Sequence, residues 1–98
     1  MYNNSSNAEL RFVYDSATSE TNRRKHGIDF ETVQLLWLDE DRIQVAARFV
    51  DEARSQVIGV IDGKHWAVVV TYRSEMVRII SARRARKEEI EEYKRRRV

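Results

Sequence analysis

Arginines at 48, 54 and 78 fall in three segments that are otherwise largely apolar, and Lys25-His26 closes a polar stretch just before a glycine. Cleaving a ribose phosphodiester without a metal needs a base for the 2′-hydroxyl and an acid for the leaving 5′-oxygen. It also needs fixed cations around the developing phosphorane charge. Arginine suits the last task, because its fork grips phosphate oxygens in pairs and stays charged. Histidine suits proton transfer near neutral pH, and at the end of a helix the dipole would stabilise a His26 imidazolium. The same residues also have plainer uses. Arginines on an open sheet face can snorkel and pair with loops, and Lys, Arg and His gather at helix ends for electrostatic reasons alone.

Only a sheet would bring the arginines together. The pattern predicts strands over about 42–49, 54–61, 65–72 and 76–82, after a weaker first strand at 10–14. Asp62-Gly63 is the best hairpin signal, since the centre of a two-residue turn needs positive φ and this pair tolerates it. Ser74-Glu75 and residues 50–53 supply the other turns. With Asp62-Gly63 and Ser74-Glu75 as central pairs, Arg54 lies opposite Thr71 and Thr71 opposite Arg78, while the first turn sets Arg48 against Arg54. The expectation is a transverse row on one face: Arg48, Arg54, Thr71, Arg78. Like charges facing each other across strands cost a few tenths to about 1 kcal/mol per pair. A polyanion lying across the open face would offset that cost.

The other face collects Ile43, Val45, Ala47, Val57, Ile61, Trp66, Val68, Val70, Val77 and Ile79, with the Trp66 ring expected to cover Gly59. This is the expected core, and the helices are expected to pack on it. A first, mostly polar helix runs from a cap at Asp15 or Ser16 to His26, where Gly27 supplies the left-handed stop. A second starts after Asp29 and places Phe30, Val33, Leu36 and Trp37 on one side. From Arg83 onward strong helix formers predict a C-terminal helix, with Ala85, Ile90 and Tyr93 reaching the core. The fold class is therefore α+β: an antiparallel four- to five-stranded sheet with two N-terminal helices and a C-terminal helix.

At 98 residues the chain reads as one domain over 10–98, with polar residues 1–9 expected to be disordered. The absence of cysteine excludes disulfides, thiolate metal sites and a cysteine nucleophile, and a reduced, cytoplasmic setting fits it. No apolar run approaches the roughly 20 residues that span a bilayer, and the polar start does not resemble a signal peptide, so no membrane association is expected. The formal charge of +2 is the tail's: residues 83–98 hold eight basic residues against four glutamates, which leaves ten basic against twelve acidic before them. Arg86, Lys87, Lys94, Arg95, Arg96 and Arg97 read mainly as a solvated helix in which Glu91–Arg95 and Glu92–Arg96 pair at i,i+4. Arg83 and Arg84 differ, because they stand at the strand end near the row. No metal or cofactor is expected: His26 and His65 are not at ligand spacing, and no glycine-rich phosphate loop occurs.

Tyr14-Asp15, Asn22, Lys25-His26-Gly27-Ile28 with Phe30-Glu31, Glu52-x-Arg54 with Gly59, Arg73, and Arg78-Ile79-Ile80-Ser81-Ala82-Arg83-Arg84-Ala85 ending in Tyr93 together resemble the BrnT family of type II toxins. The resemblance covers nearly the whole chain after residue 9. It implies a RelE-like, barnase-like fold and an endoribonuclease that arrests growth by cutting RNA. It also implies a cognate antitoxin of the BrnA type, a ribbon-helix-helix protein through which alone the complex meets operator DNA and represses its own operon. Carried over by position, the functional residues are Lys25, His26, Arg54, Arg73, Arg78 and Arg84. Lys25, His26, Arg54 and Arg78 are the expected catalytic set, and Arg48, Arg73 and Arg84 the expected contacts to the RNA backbone. The family usually has Trp-Asp-x-x-Lys at the first helix, whereas this chain has Tyr14-Asp15-Ser16-Ala17-Thr18. The missing lysine motivates an alternative, a non-catalytic module that binds antitoxin and tunes repression.

Overall fold

A computed structural model gives the structure of the chain and describes residues 10–47 and 54–96. Arg48, and the turn expected to set it against Arg54, lie outside the described residues. Five strands, β1 (Arg11–Val13), β2 (Ile43–Ala46), β3 (Ser55–Ile61), β4 (Lys64–Arg73) and β5 (Met76–Arg84), form one sheet in the order β1-β5-β4-β3-β2. The sheet is mixed, which corrects the antiparallel expectation: β1 runs parallel to β5, with Phe12 beside Val77. Side-chain alternation encodes which face a residue takes and not the direction of its neighbour, so this pairing left no trace in the pattern.

Two turns set the antiparallel register as expected. Asp62 and Gly63 take φ of 52° and 79°, as a tight hairpin requires, and pair Ile61 with Lys64. Ser74, also at φ 52°, pairs Arg73 with Met76 and hence Thr71 with Arg78. Beyond that point the expected register slips. Val70 faces Ile79 but Val69 faces Ser81, so Ile80 is an extra, bulged residue in β5. The bulge resets the alternation: Val77, Ile79 and Ala82 are buried toward one side, while Arg78, Ser81 and Arg83 share the other.

Helices cover both faces of the sheet. Helix α1 (Ser16–His26) is capped by Asp15, whose carboxylate accepts from the Thr18 N–H at 2.8 Å, and is stopped by Gly27 at φ 82°. Helix α2 (Phe30–Val33) is shorter than expected and continues as a 3-10 segment, Gln34–Leu38. The tighter winding still buries Phe30, Val33, Leu36 and Trp37, but it turns Leu35 and Leu38 outward. These elements pack with Val57, Trp66, Val68, Val70, Val77 and Ile79 into the larger core.

Helix α3 (Lys87–Arg96) lies on the opposite face, where Tyr93 and Ala85 join Ile43, Ile58 and Ala67 in a second cluster. This corrects the expectation of a single core face. Ile43 pairs with Ile58 and Val45 with Gln56, one position out of phase with the expected pairing, so Ile43 and Val45 belong to the α3 side. Asp39 joins the two layers at the sheet edge: it accepts from the Val60 N–H and from the Tyr93 hydroxyl, both at 2.8 Å. Burial pushes its carboxyl up, but the bonds from Tyr93, Asp41 and Val60 outweigh this and hold it below the usual carboxylate range. Gly59 serves the same junction. A Cβ there would stand 3.1 Å from both the Asp39 carboxylate and Leu36, so these residues, and not the Trp66 ring, fill the space beside it.

Candidate functional site

The face shared by Arg78, Ser81 and Arg83 is only partly covered by α3. The same face carries Arg54, Thr71 and Arg78, of which Arg78 is exposed, Arg54 half-buried and Thr71 buried between them. Thr71 faces Arg78 across β4 and β5, and Ser55, next to Arg54, faces Val70 next to Thr71. The described part of the expected row thus lies on one side of the sheet. A hollow of about 540 Å³ is walled by Val13, Tyr14, Asp15, Thr71, Arg73, Met76 and Arg78. A second, of about 200 Å³, is walled by Asp15, Thr18, Arg54, Arg78, Ile79 and Ile80. Asp15 and Arg78 belong to both walls, so they stand on the ridge between the two hollows.

Local sequence explains this placement. Positive φ at Ser74 closes the β4–β5 turn tightly, which keeps Arg73 and Met76 paired at the mouth of the larger hollow. The turn register leaves Arg78 facing outward and Ile79 in the core, and the bulge at Ile80 then returns Ala82 to the same buried side as Ile79. Asn22, buried in α1, donates to the Ala82 carbonyl at 3.0 Å and to the Ile28 carbonyl at 2.9 Å, and it accepts from the Ala82 N–H at 3.1 Å. Those bonds clamp α1 along β5 and set Asp15 at the Arg78 end.

Asp15 is the ionised acceptor of the site. The Thr18 backbone N–H, then the Thr18 hydroxyl, hold its carboxyl below the usual range, and Arg78 adds to the effect. Both Thr18 bonds use the same oxygen, Oδ2. Sequence reasoning treated Asp15 as a cap, which it is. Its place on the ridge follows from α1 docking on β5, and no local pattern encodes that. Among the described residues no three His, Asp or Glu side chains cluster as metal ligands would.

The remaining candidates lie elsewhere. Lys25 and His26 are exposed in the last turn of α1, and His26 is eight residues past Thr18, about 12 Å by helical rise. Arg84 sits on the larger-core face, its guanidinium 5.5 Å over the Trp66 ring and its Nε donating to the His65 carbonyl at 3.3 Å. The structure therefore brings Arg54, Arg73 and Arg78 together and leaves Lys25, His26 and Arg84 apart from them. Arg83, on the arginine face, is held by Glu89 through two bonds of 2.9 and 2.8 Å.

A family model described as the ribonuclease toxin BrnT of a type II toxin–antitoxin system matches residues 14–89. The chain belongs to the BrnT family. The matched span begins at Tyr14, on the wall of the larger hollow, and ends at Glu89, the residue that holds Arg83. As a BrnT-family chain it is a ribonuclease toxin with a protein antitoxin as counterpart. A search of curated proteins finds no match. No helix among the described residues is long and apolar enough to cross a membrane.

Proposed function

We propose that this BrnT-family toxin is a metal-independent endoribonuclease of the cytoplasm whose reaction takes place on the ridge between the two hollows. The observation that carries this reading is the placement of Arg54, Arg73 and Arg78 around Thr71 on one face of the sheet, along the walls of the two hollows. Three guanidinium groups on one face make a positive surface that favours an anion, and a phosphodiester passing to a phosphorane is such an anion. Arg54 and Arg78 stabilise the developing charge, and Arg73 holds the adjoining backbone. The Asp15 carboxylate beside Arg78 is placed to accept the 2′-hydroxyl proton, and the leaving 5′-oxygen takes its proton from water; the low pKa of Asp15 makes it a weak base and leaves most of the acceleration to the cations. Lys25, His26 and Arg84, at the far end of β5, contact the same RNA strand at other phosphates. A ribbon-helix-helix antitoxin of the BrnA type neutralises the toxin, and the complex represses its own operon.

The test is cleavage of a defined RNA by the purified chain in EDTA. Arg54→Ala and Arg78→Ala are expected to lower the rate about 100- to 1000-fold, the usual cost of removing one preorganised transition-state donor, with melting temperatures unchanged. Full cleavage by both variants would sink the arginine face as the site. Intact RNA with the parent chain, beside tight antitoxin binding, would instead support the non-catalytic module, a reading favoured by the distance of His26 from the arginines.

A further inference from the structure

On the side of the molecule formed by the 3-10 segment, two leucines face water. Leu38 is 76% exposed and Leu35 49%, although the segment between them buries Leu36 and Trp37. The leucines line a groove of about 640 Å³ together with Thr32, Val60, Ile61, Asp39 and Asp62. Its ionised wall residues are both acidic. Residues 28–42, from which most of the groove is built, contain five carboxylates (Asp29, Glu31, Asp39, Glu40 and Asp41) against one cation, Arg42, whose guanidinium turns back to the Trp37 and Asp39 carbonyls. The arginine face has the opposite balance, with Arg54, Arg73 and Arg78 against Asp15. An apolar centre with a charged rim has the layout of a protein interface. A negative rim repels a nucleic acid and attracts a cationic partner.

We propose that this groove is where the antitoxin docks, through a segment that sets apolar side chains between Leu35 and Leu38 and lysines or arginines against the acidic rim. The proposal rests on the toxin reading only in taking an antitoxin as the partner. It places this docking contact on a surface separate from the arginine face, so that the contact itself leaves Arg78 uncovered.

The experiment measures the affinity of the antitoxin that neutralises this chain for three variants, each checked for an unchanged melting temperature. Leu35→Ser with Leu38→Ser is expected to weaken binding at least tenfold while RNA cleavage by the free toxin stays at the parent rate. Glu31→Lys with Glu40→Lys is expected to weaken binding and flatten its salt dependence. Arg78→Ala is expected to bind as the parent does. An affinity that falls for Arg78→Ala and holds for the leucine pair would place the antitoxin on the arginine face and overturn the proposal. So would a dimer of the free chain that the leucine pair disperses without loss of antitoxin affinity, since the groove would then belong to a second copy. Failure of the parent chain to cut RNA would refute the ribonuclease reading and leave the binding measurements to decide the docking.

Discussion

Glu89 is the residue whose removal best tests how the arginine face is held in place. Its carboxylate takes two bonds from the Arg83 guanidinium, one from the Arg86 N–H at 2.7 Å and one from the Gln56 side chain at 3.2 Å. These bonds tie the first turn of α3 to β5 and β3. Led by Arg83, and against the opposing effect of burial, they lower the Glu89 pKa from 4.5 to about 2. At about 1.4 kcal/mol per pH unit the shift has a ceiling near 3.4 kcal/mol. The side chains of Arg83 and Glu89 keep 28% and 14% of their exposure, so solvent screening reduces the expected contribution to about 2 kcal/mol. Because the folded-state pKa lies below the unfolded one, this stability is full above pH 4.5 and is lost as pH falls toward 2. Glu89→Gln keeps the shape and removes the charge. It is expected to cost about 2 kcal/mol at pH 7, or about 8–16 °C in melting temperature for a domain of this size. Urea unfolding of parent and variant from pH 7 to 2 separates this group from the other carboxylates, because only the difference between the two curves reports Glu89. That difference should shrink toward zero as the pH drops from 4.5 to 2. A cost under about 0.5 kcal/mol at pH 7, or a difference that does not change with pH, would refute the argument.

Two further substitutions probe the docking of α1. Asn22→Ala leaves the Ala82 N–H and two buried carbonyls without their side-chain partner, at about 1–3 kcal/mol for each unsatisfied group, so unfolding in urea should show a loss of at least about 2 kcal/mol. A smaller loss would mean that α1 is not clamped through Asn22. Asp15→Asn retains a good helix cap and removes the negative charge beside Arg78. The melting temperature should hold while RNA cleavage at pH 7 falls about 100-fold, the lower range for a general base; an unchanged rate would exclude Asp15 as the proton acceptor.

Much of the sheet was legible because turn chemistry is local. Asp62-Gly63 and Ser74-Glu75 set the register from a few residues each, and with it the pairing of Thr71 and Arg78. The first cap, the left-handed glycine and the buried stripe from Phe30 to Trp37 were legible for the same reason. The errors came where a single residue changes phase. Ile79-Ile80, two apolar residues in succession within an alternating strand, was the available sign of the bulge, and a strict period-two reading passes over it. The turn at 50–53 was assigned a length without a turn dipeptide to support it. The observed pairing of β2 with β3, one position from the expected one, moves Ile43 and Val45 to the face on which α3 packs.

The phase changes also explain why the site was only half visible. Arg54, Thr71 and Arg78 are related by hydrogen-bond register, which propagates from a turn along paired strands. Asp15, by contrast, meets Arg78 only because Asn22 holds α1 against Ala82, a contact spanning 60 positions in the chain. Arg84 was read with Arg78 because it stands at the strand end near the row, yet the bulge between them puts them on opposite faces. Without Ile80 as an extra residue, Ser81 and Arg83 would point into the larger core, where a guanidinium and a hydroxyl would each need a partner that this core does not offer. The bulge relieves that conflict, and in doing so it sets Arg83 where Glu89 can reach it. The side taken by Arg83 and the position of α3 therefore depend on the same residue.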